Sequence, residues 1–565
     1  MRNMAKNETQ IREIENEIDV FHKTHPFFLT NFPTSLYYSL NAFEYFCYED
    51  FFHLADLFEN KIAMQNNLEA LNQLIRWVTE ECKIENQLDL EIDENIILKA
   101  KTAFVWSNRY YLISNEYKLL SRGEREASID KKNVTFNLVN KNIESFYSDK
   151  ADEIEKIIGI KPKQRKIIKK SNLNLKEKLH IADNSLQYES DMEIWKGHQS
   201  RVKTLWDECS ELQYVWEKAQ FDNFSFVSFK KFWIALATLA HIHISAHQIH
   251  YNKDRIDILN RNGRTIRNFQ ISKEMDTSLE IKNYLLINTK DDFIKTISEK
   301  SKISEEECKN IFDYLTFDKK IKHNDVIFQP IFQLKNETYC ISPNLIISSN
   351  PERNLMMLLH KKEDEKYFNE WTNQKEKVMI RTISNKIRCS DRIKTKNNIK
   401  FHNNEIDYVI YDKNKAHILI CELKWFIEPD SVHEMSIHEQ RLKNGCAQIK
   451  KIQTAVEENI HDFMNTFFED DKKEYTISSC LISKNCINVH EMEITVISMK
   501  QFLDLIKRCK NDIEKMSNEL MNKTYLKKLP ENLNDITTYR SKIEYSDYIF
   551  EIPSFYGKER DYKSY

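Results

Sequence analysis

Glycine is scarce in this chain, which has only six glycines in 565 residues. They are widely dispersed, at Gly123, Gly159, Gly197, Gly263, Gly445 and Gly557. A GxxxxGK phosphate loop and a GxGxxG dinucleotide turn each need several glycines close together. The sequence therefore excludes nucleotide hydrolysis through a P-loop.

Long apolar runs and paired cysteines are also missing. The longest apolar stretch, residues 232–240, is far shorter than the roughly 20 residues that cross a bilayer. Residues 1–23 have no apolar core after their basic residues, so we expect no secretory signal. The eleven cysteines include no CxxC pair, and their odd number argues against a disulfide framework. We expect a cytoplasmic protein without a membrane anchor.

The length and the changes in sequence texture predict several domains, because one hydrophobic core rarely serves so long a chain. Apolar positions at helical spacing fill the first half, interrupted by six basic residues between Lys161 and Lys170. From about residue 324 the pattern becomes rich in strands. We predict a helical domain over residues 1–158, a basic linker over 159–175, a second helical region over 176–322, an α/β domain over 323–525 and a polar C-terminal tail over 526–565.

Within the α/β domain, the predicted order is helix, strand, strand, helix, strand, which is typical of a central mixed sheet. The two adjacent strands lie in residues 403–426 and carry charges among apolar residues. Side chains of a strand alternate between its faces, so Glu422 and Lys424 share one face with the apolar Ile420. Charges at such a place need a partner or a metal.

A short turn, Asp412 to Lys415, predicts that these two strands pair in antiparallel fashion. The start of the first strand then lies beside the end of the second, which brings Asp407 close to Glu422 and Lys424. Two neighbouring carboxylates raise each other's pKa unless a divalent cation lies between them. Mg²⁺ suits such oxygen ligands together with phosphate, and a nearby lysine could orient water or neutralise charge on phosphorus.

The acid, the spacer and the Glu-Leu-Lys sequence at the end of an apolar strand resemble the PD-(D/E)xK nuclease superfamily, which includes many restriction endonucleases. The resemblance implies a restriction-endonuclease-like domain over 323–525 and a Mg²⁺-dependent nuclease that accepts Mn²⁺. It implies that Asp407 and Glu422 hold the metal, with the backbone carbonyl of Leu423 as a further ligand. Lys424 would position the attacking water.

Two more catalytic positions follow from the resemblance. Many members carry a glutamate on the helix before the first strand, which corresponds to Glu376. Many also carry a glutamine on the helix after the second strand, which corresponds to Gln448. The sequence departs from the family in having Ile406 where the motif has proline and Ile452 where one variant has tyrosine.

Nucleic acid is the expected partner, and DNA is favoured over RNA. The net charge is only −3, so binding would depend on local basic patches. The candidates for nucleic-acid contact flank the two strands: Arg388, Arg392, Lys394, Lys396, Lys450 and Lys451. The helical region would act as a sensor or regulator, as in restriction and phage-defence effectors, and a homo-oligomer or partner subunit would fit that role.

Two alternatives remain open at the level of sequence. Glutamate and lysine two residues apart on one strand face are common as a structural ion pair on a sheet edge. The domain could also be a scaffold or a nucleic-acid-binding protein that does not cleave.

Overall fold

The structure is a computed structural model that describes residues 2–53, 57–82, 93–139, 192–209, 219–261, 284–525 and 539–554. The sixth range has short gaps at 322–323, 336, 363–364, 388, 428–431, 473, 486–488 and 490–491. The predicted basic linker over 159–175 lies outside the described residues.

The secondary structure is helical in most of the first half and mixed in the second. The α-helices are α1 (Arg2–Phe21), α2 (Phe32–His53), α3 (Leu57–Glu81), α4 (Glu94–Ser121), α5 (Met192–Cys209), α6 (Phe226–Arg261), α7 (Lys290–Ser301), α8 (Glu305–Tyr314), α9 (Pro343–Ser348), α10 (Pro351–Lys361), α11 (Glu365–Lys386), α12 (Val432–Glu458), α13 (Ile460–Phe468), α14 (Met499–Cys509) and α15 (Ile513–Met521). Two 3₁₀ turns, His22–Thr24 and Pro26–Leu29, follow α1.

The strands are β1 (Arg125–Asp130), β2 (Asn133–Leu138), β3 (Leu286–Thr289), β4 (Ile331–Lys335), β5 (Thr338–Ile341), β6 (Ile393–Phe401), β7 (Asn404–Asp412), β8 (His417–Lys424), β9 (Thr476–Ser483), β10 (Thr495–Ser498), β11 (Tyr539–Tyr545) and β12 (Tyr548–Ser554). They form three sheets, with the strand orders β1-β2-β12-β11, β3-β5-β4 and β10-β9-β8-β7-β6. None of the described helices combines the length and the apolar character that a membrane span requires.

One large hydrophobic core runs from Phe27 to Leu359 and joins the helices of the first half to the sheet β3-β5-β4, α9 and α10. A buried carboxylate strengthens this union, because Glu44 of α2 accepts hydrogen bonds from the Ser342 hydroxyl and from the backbone and side-chain nitrogens of Asn344. The predicted domain boundary at residue 323 therefore falls inside a shared core. After α10 the fully buried apolar residues of the α/β domain belong to other cores, although partly buried Tyr367, Trp425 and Ile427 still pack against the large one.

The polar tail predicted over 526–565 contains two strands, and these contribute half of a sheet. β12 pairs in parallel with β2, and β11 pairs with β12. Their apolar side chains pack with α1 and α4 in a separate core. The region predicted as a helical domain over 1–158 accordingly includes the hairpin of β1 and β2, whose partner strands come from the opposite end of the chain.

The five-stranded sheet is mixed, as the sequence predicts. β6, β7 and β8 pair in antiparallel fashion, whereas β8, β9 and β10 are parallel. The edge strand β6 is absent from the predicted order of elements, and its lysines and asparagines lack the regular apolar alternation that indicates a strand. A tight hairpin turn joins β6 to β7. Its two residues, His402 and Asn403, both have positive φ angles.

Helices cover both faces of this sheet. On one face, α11, α14 and α15 pack against side chains such as Leu419 and Cys421. On the other face, α12 and α13 pack against side chains such as Ile418 and Ile420. The result is a three-layer unit whose central strands, β7 and β8, are almost wholly buried.

Candidate active site

The strands β7 and β8 pair in antiparallel fashion, with Asp412 opposite His417 and Tyr408 opposite Cys421. Asp412 fixes the turn, because its Oδ1 accepts hydrogen bonds from the amides of Asn414 and Lys415 at 3.1 and 3.3 Å. The beginning of β7 therefore lies beside the end of β8. This confirms the antiparallel pairing on which the site prediction depends.

The end of β8 carries Glu422 and Lys424 on the face that α12 covers. Ile418 and Ile420, which precede them at the same spacing, pack on that face, while Leu419 and Cys421 pack on the other. The strand alternation predicted from sequence is therefore confirmed.

Asp407 interrupts the alternation in β7. Val409 and Tyr411 pack on the α12 face, yet Ile406 packs there as well, so the strand rotates between Ile406 and Tyr408. The rotation turns the Asp407 carboxylate toward the end of β8, where its Oδ2 accepts a hydrogen bond of 2.7 Å from the Leu423 amide. The Asp407 carboxylate thus accepts from the Leu423 amide the hydrogen bond that a backbone carbonyl of β7 would otherwise accept.

Glu422 and Lys424 form an ion pair along their own strand. The distance between Lys424 Nζ and Glu422 Oε1 is 2.7 Å. The Glu422 side chain is only 2% exposed, whereas that of Lys424 is 30% exposed. The carboxylate is therefore enclosed, while the ammonium reaches solvent.

Glu376 joins these residues from the other layer. It lies on α11, half-buried, and Asp407 and Lys424 are among the charges that act on its pKa. Glu376 in turn contributes to the pKa of Glu422. The structure therefore brings together four of the five predicted catalytic residues, and we call Glu376, Asp407, Glu422 and Lys424 the acidic site.

The carboxylates of the acidic site hold protons more tightly than free carboxylates do. Burial, followed by the charge of Asp407, raises the pKa of Glu422 to about 7 although Lys424 opposes the change. Burial raises the pKa of Asp407 despite the Leu423 hydrogen bond and Lys424, and burial together with Asp407 raises that of Glu376. Two buried acids and one half-buried acid, with one partly exposed cation among them, leave a net demand for positive charge.

The donor set suits a hard divalent cation. Carboxylate and carbonyl oxygens are the ligands that Mg²⁺ takes from proteins. The amide and carbonyl of a strand residue point to the same side, so the Leu423 carbonyl, like its amide, points toward the Asp407 side of β8. The three carboxylates do not form a closed cluster, since their oxygens do not all lie within 4.8 Å of one another.

Two residues near Lys424 were not predicted. Ser483 ends β9 opposite Lys424, and its hydroxyl is buried without a hydrogen-bond partner among the described residues. Gly445 of α12 lies against the lysine, because a Cβ at Gly445 would be 3.4 Å from Lys424 Cε. Parallel strands end at the same edge of a sheet, so the apolar run that ends at Ser483 was the sequence signal that could have revealed this residue.

Gln448, the fifth predicted catalytic residue, lies on α12 but is solvent-exposed. The sheet-facing stripe of that helix passes through Gly445, Ile449 and Ile452 instead. Nothing in the described residues links the Gln448 amide to the acidic site.

The predicted basic contacts are spread over the domain. Arg392 is bound to the buried Asp412 by its Nη2 at 2.7 Å, at the opposite end of β7 from Asp407. Lys450 forms an ion pair with Glu493 beside the starts of β9 and β10. The remaining described candidates, Lys394, Lys396 and Lys451, are exposed, and Arg388 lies outside the described residues.

The comparisons with known proteins add no assignment. No protein-family model, no curated protein and no solved structure matches this chain.

Proposed function

We propose that the three-layer unit is a Mg²⁺-dependent nuclease of the PD-(D/E)xK type that hydrolyses phosphodiester bonds in DNA. The observation that carries the proposal is the convergence of Glu376, Asp407, Glu422 and Lys424 at one end of the five-stranded sheet. These residues come from three separate elements, and the acids among them are buried or half-buried with raised pKa values. Perturbed acids gathered in this way are more typical of a functional site than of a stabilising surface pair.

The proposal assigns a role to each residue. Asp407, Glu422 and the Leu423 carbonyl would hold Mg²⁺ or Mn²⁺, which when bound would neutralise the acids and polarise a phosphate oxygen. The Lys424 ammonium is paired with the enclosed Glu422 carboxylate and is partly exposed to solvent. It can therefore donate a hydrogen bond to a phosphate oxygen or to water. Glu376 lies half-buried beside Asp407 and can accept a proton from water held there.

The edge strand β6 is the best support for a polyanionic substrate. Lys396 and Lys400 are exposed on it. Lys400 pairs in register with Glu405, two residues before Asp407, whereas Lys396 pairs with Val409. Both cations therefore flank the β7 strand near the acidic site, where a DNA backbone would have to lie.

One observation favours a binding protein that does not cleave. Lys424 and Glu422 already satisfy each other at 2.7 Å, which is what a structural ion pair would do. A nuclease would cleave DNA when a divalent metal is present, whereas a binding protein would not. A cleavage assay with and without the metal therefore separates the two functions.

The decisive experiment incubates the purified full chain with plasmid DNA, linear DNA and RNA, in Mg²⁺, Mn²⁺, Ca²⁺ or EDTA. We expect cleavage of DNA in Mg²⁺ and Mn²⁺ only, since Ca²⁺ binds with looser geometry. Asp407→Asn should reduce cleavage by at least about 100-fold while DNA binding persists. Asp391→Asn, at an exposed aspartate before β6, serves as the matched control and should cleave normally. Equal cleavage in EDTA, or full activity of Asp407→Asn, would refute the assignment.

A further inference from the structure

We propose a second metal site, for a divalent transition metal of the zinc type, at the junction between α1 and the C-terminal end of α3. Its ligands are His22, Glu80 and Glu81. One ligand atom from each residue lies within 4.8 Å of the other two. The site belongs to the helical body and is independent of the nuclease proposal.

The His22 ring is held in a fixed orientation. It is 3% exposed and stacks on Trp77, with centroids 4.5 Å apart and planes inclined by 4°. Phe28 meets it edge-on at 5.8 Å. The ring therefore presents its nitrogens in two set directions.

One of those directions defines the tautomer. His22 Nδ1 lies 3.1 Å from the backbone oxygen of Asp19, and a carbonyl oxygen only accepts, so Nδ1 carries the hydrogen. In the neutral ring, which burial favours, Nε2 then presents a bare lone pair. Metal-binding histidines commonly use this arrangement, with the second ring nitrogen donating to a carbonyl or carboxylate.

The second ring nitrogen of His22, Nε2, faces a carboxylate. Nε2 is buried without a hydrogen-bond partner among the described residues, and Glu81 Oε1 lies 3.6 Å away. This distance is too long for a hydrogen bond, and a lone pair facing a carboxylate is repulsive. A cation between the two atoms would satisfy both.

The end of α3 adds to the demand for a cation. Glu81 is the last residue of α3 and Glu80 precedes it, so two carboxylates stand at the negative pole of a helix dipole. Lys23 Nζ compensates only in part, at 3.4 Å from Glu81 with a side chain that is 56% exposed. A metal ion would displace this loosely held ammonium.

The chemistry of the donors identifies the class of metal. One imidazole nitrogen with two carboxylates suits Zn²⁺ and similar ions, whereas Mg²⁺ prefers oxygen ligands alone. Three protein ligands leave a fourth position for water. The bound ion would fasten the 3₁₀ turn His22–Thr24 to α3.

The test measures Zn²⁺ binding to the full chain by calorimetry, in a background of Asp407→Asn and Glu422→Gln that removes the proposed nuclease ligands. We expect Glu80→Gln with Glu81→Gln to remove one bound Zn²⁺ per chain or to weaken its binding at least about 10-fold. These partly exposed positions leave the core intact, so the test does not rely on the buried His22. His22→Gln should have the same effect.

A matched control exists at another helix end. Glu457 and Glu458 also stand side by side at the end of α12, and Glu457→Gln with Glu458→Gln should leave Zn²⁺ binding unchanged. Lys23→Gln should tighten binding because it removes the competing ammonium. Unchanged Zn²⁺ stoichiometry and affinity in the Glu80 and Glu81 double variant would overturn the proposal, as would weaker binding in Lys23→Gln.

Discussion

Replacing Glu422 by glutamine should make the protein more stable at alkaline pH while it removes a proposed metal ligand. Burial and the neighbouring Asp407 raise the pKa of Glu422 from 4.5 to about 7. A raised carboxyl pKa contributes stability that is fully present below the unfolded pKa of 4.5 and is lost as pH rises through about 7. Glutamine has no charge to lose, so the variant keeps that stability.

The size of the effect follows from the same change in pKa. One pKa unit corresponds to about 1.4 kcal/mol, so ionisation of Glu422 costs the folded state about 3 kcal/mol by about pH 8. We expect Glu422→Gln to have a larger free energy of unfolding than the wild type. This difference should grow by about 2 kcal/mol between about pH 5 and about pH 8. Urea unfolding in EDTA, followed by circular dichroism, measures this difference.

Mg²⁺ should largely cancel this difference at alkaline pH. An ion that binds only the folded protein stabilises it by about 2.7 kcal/mol at a concentration of 100 times its Kd. The wild type should therefore gain stability in Mg²⁺ at about pH 8, and Glu422→Gln should gain much less. Glu439→Gln is the control, because Glu439 is also buried and paired with Lys443 and Arg122 but lies outside the acidic site.

The opposite result would support a structural ion pair. In that case Glu422→Gln would be less stable than the wild type at alkaline pH, because Lys424 would lose its partner. Mg²⁺ would change the stability of neither protein. That outcome would refute the metal assignment together with the reasoning from burial.

Three further predictions concern other parts of the molecule. Burial raises the pKa of Glu44 to about 7, so part of the stability that the wild type loses between about pH 5 and about pH 8 comes from ionisation of this residue. Glu44→Gln should remove that part in urea unfolding, and an unchanged dependence of stability on pH would contradict this. Gly445→Ala places a Cβ 2.6 Å from Leu481 Cδ1 and should cost about 1–3 kcal/mol in thermal or urea unfolding. Leu481→Ala should then cost less in that variant than in the wild type, whereas simply additive losses would argue against the clash. Arg392→Ala leaves the buried Asp412 carboxylate without its guanidinium and should lower stability by about 1–3 kcal/mol without changing DNA affinity. Weaker DNA binding at unchanged stability would restore Arg392 to the nucleic-acid surface.

The sequence was sufficient for the hairpin of the acidic site. The alternation of side chains along a strand is a local property, and so is the turn chemistry of Asp412, whose carboxylate caps two amides of its own turn. The antiparallel pairing that they predict places the start of β7, and therefore Asp407, beside Glu422 and Lys424. The orientation of the Asp407 carboxylate depends on a rotation of β7 that the alternation did not predict. The mixed sheet was predicted from the order of helices and strands, because parallel strands such as β8 and β9 need a crossover connection, here α12 and α13.

The predictions for the helices around the site depended on contacts between residues that are far apart in the sequence. Glu376 of α11 lies near enough for the charge of Asp407 to raise its pKa, and its catalytic role stays a prediction. Gln448 is exposed to solvent, because the sheet-facing stripe of α12 is fixed by contacts of Gly445 with β8 and β9. A rotation of that helix by one residue would change which side chains it presents, and the sequence of the helix alone does not define that rotation.

The sequence by itself determined the antiparallel pairing of the central hairpin and the faces of β8, because these depend on neighbours a few residues apart. It did not reveal the rotation of β7 at Asp407. Only the tertiary structure decided which distant segments share a core. Residues 326–359 complete the helical body rather than the α/β unit, and β12, near the far end of the chain, pairs with β2. The strength of such contacts depends on apolar area that two remote segments bury together, and neither segment's own pattern specifies its partner.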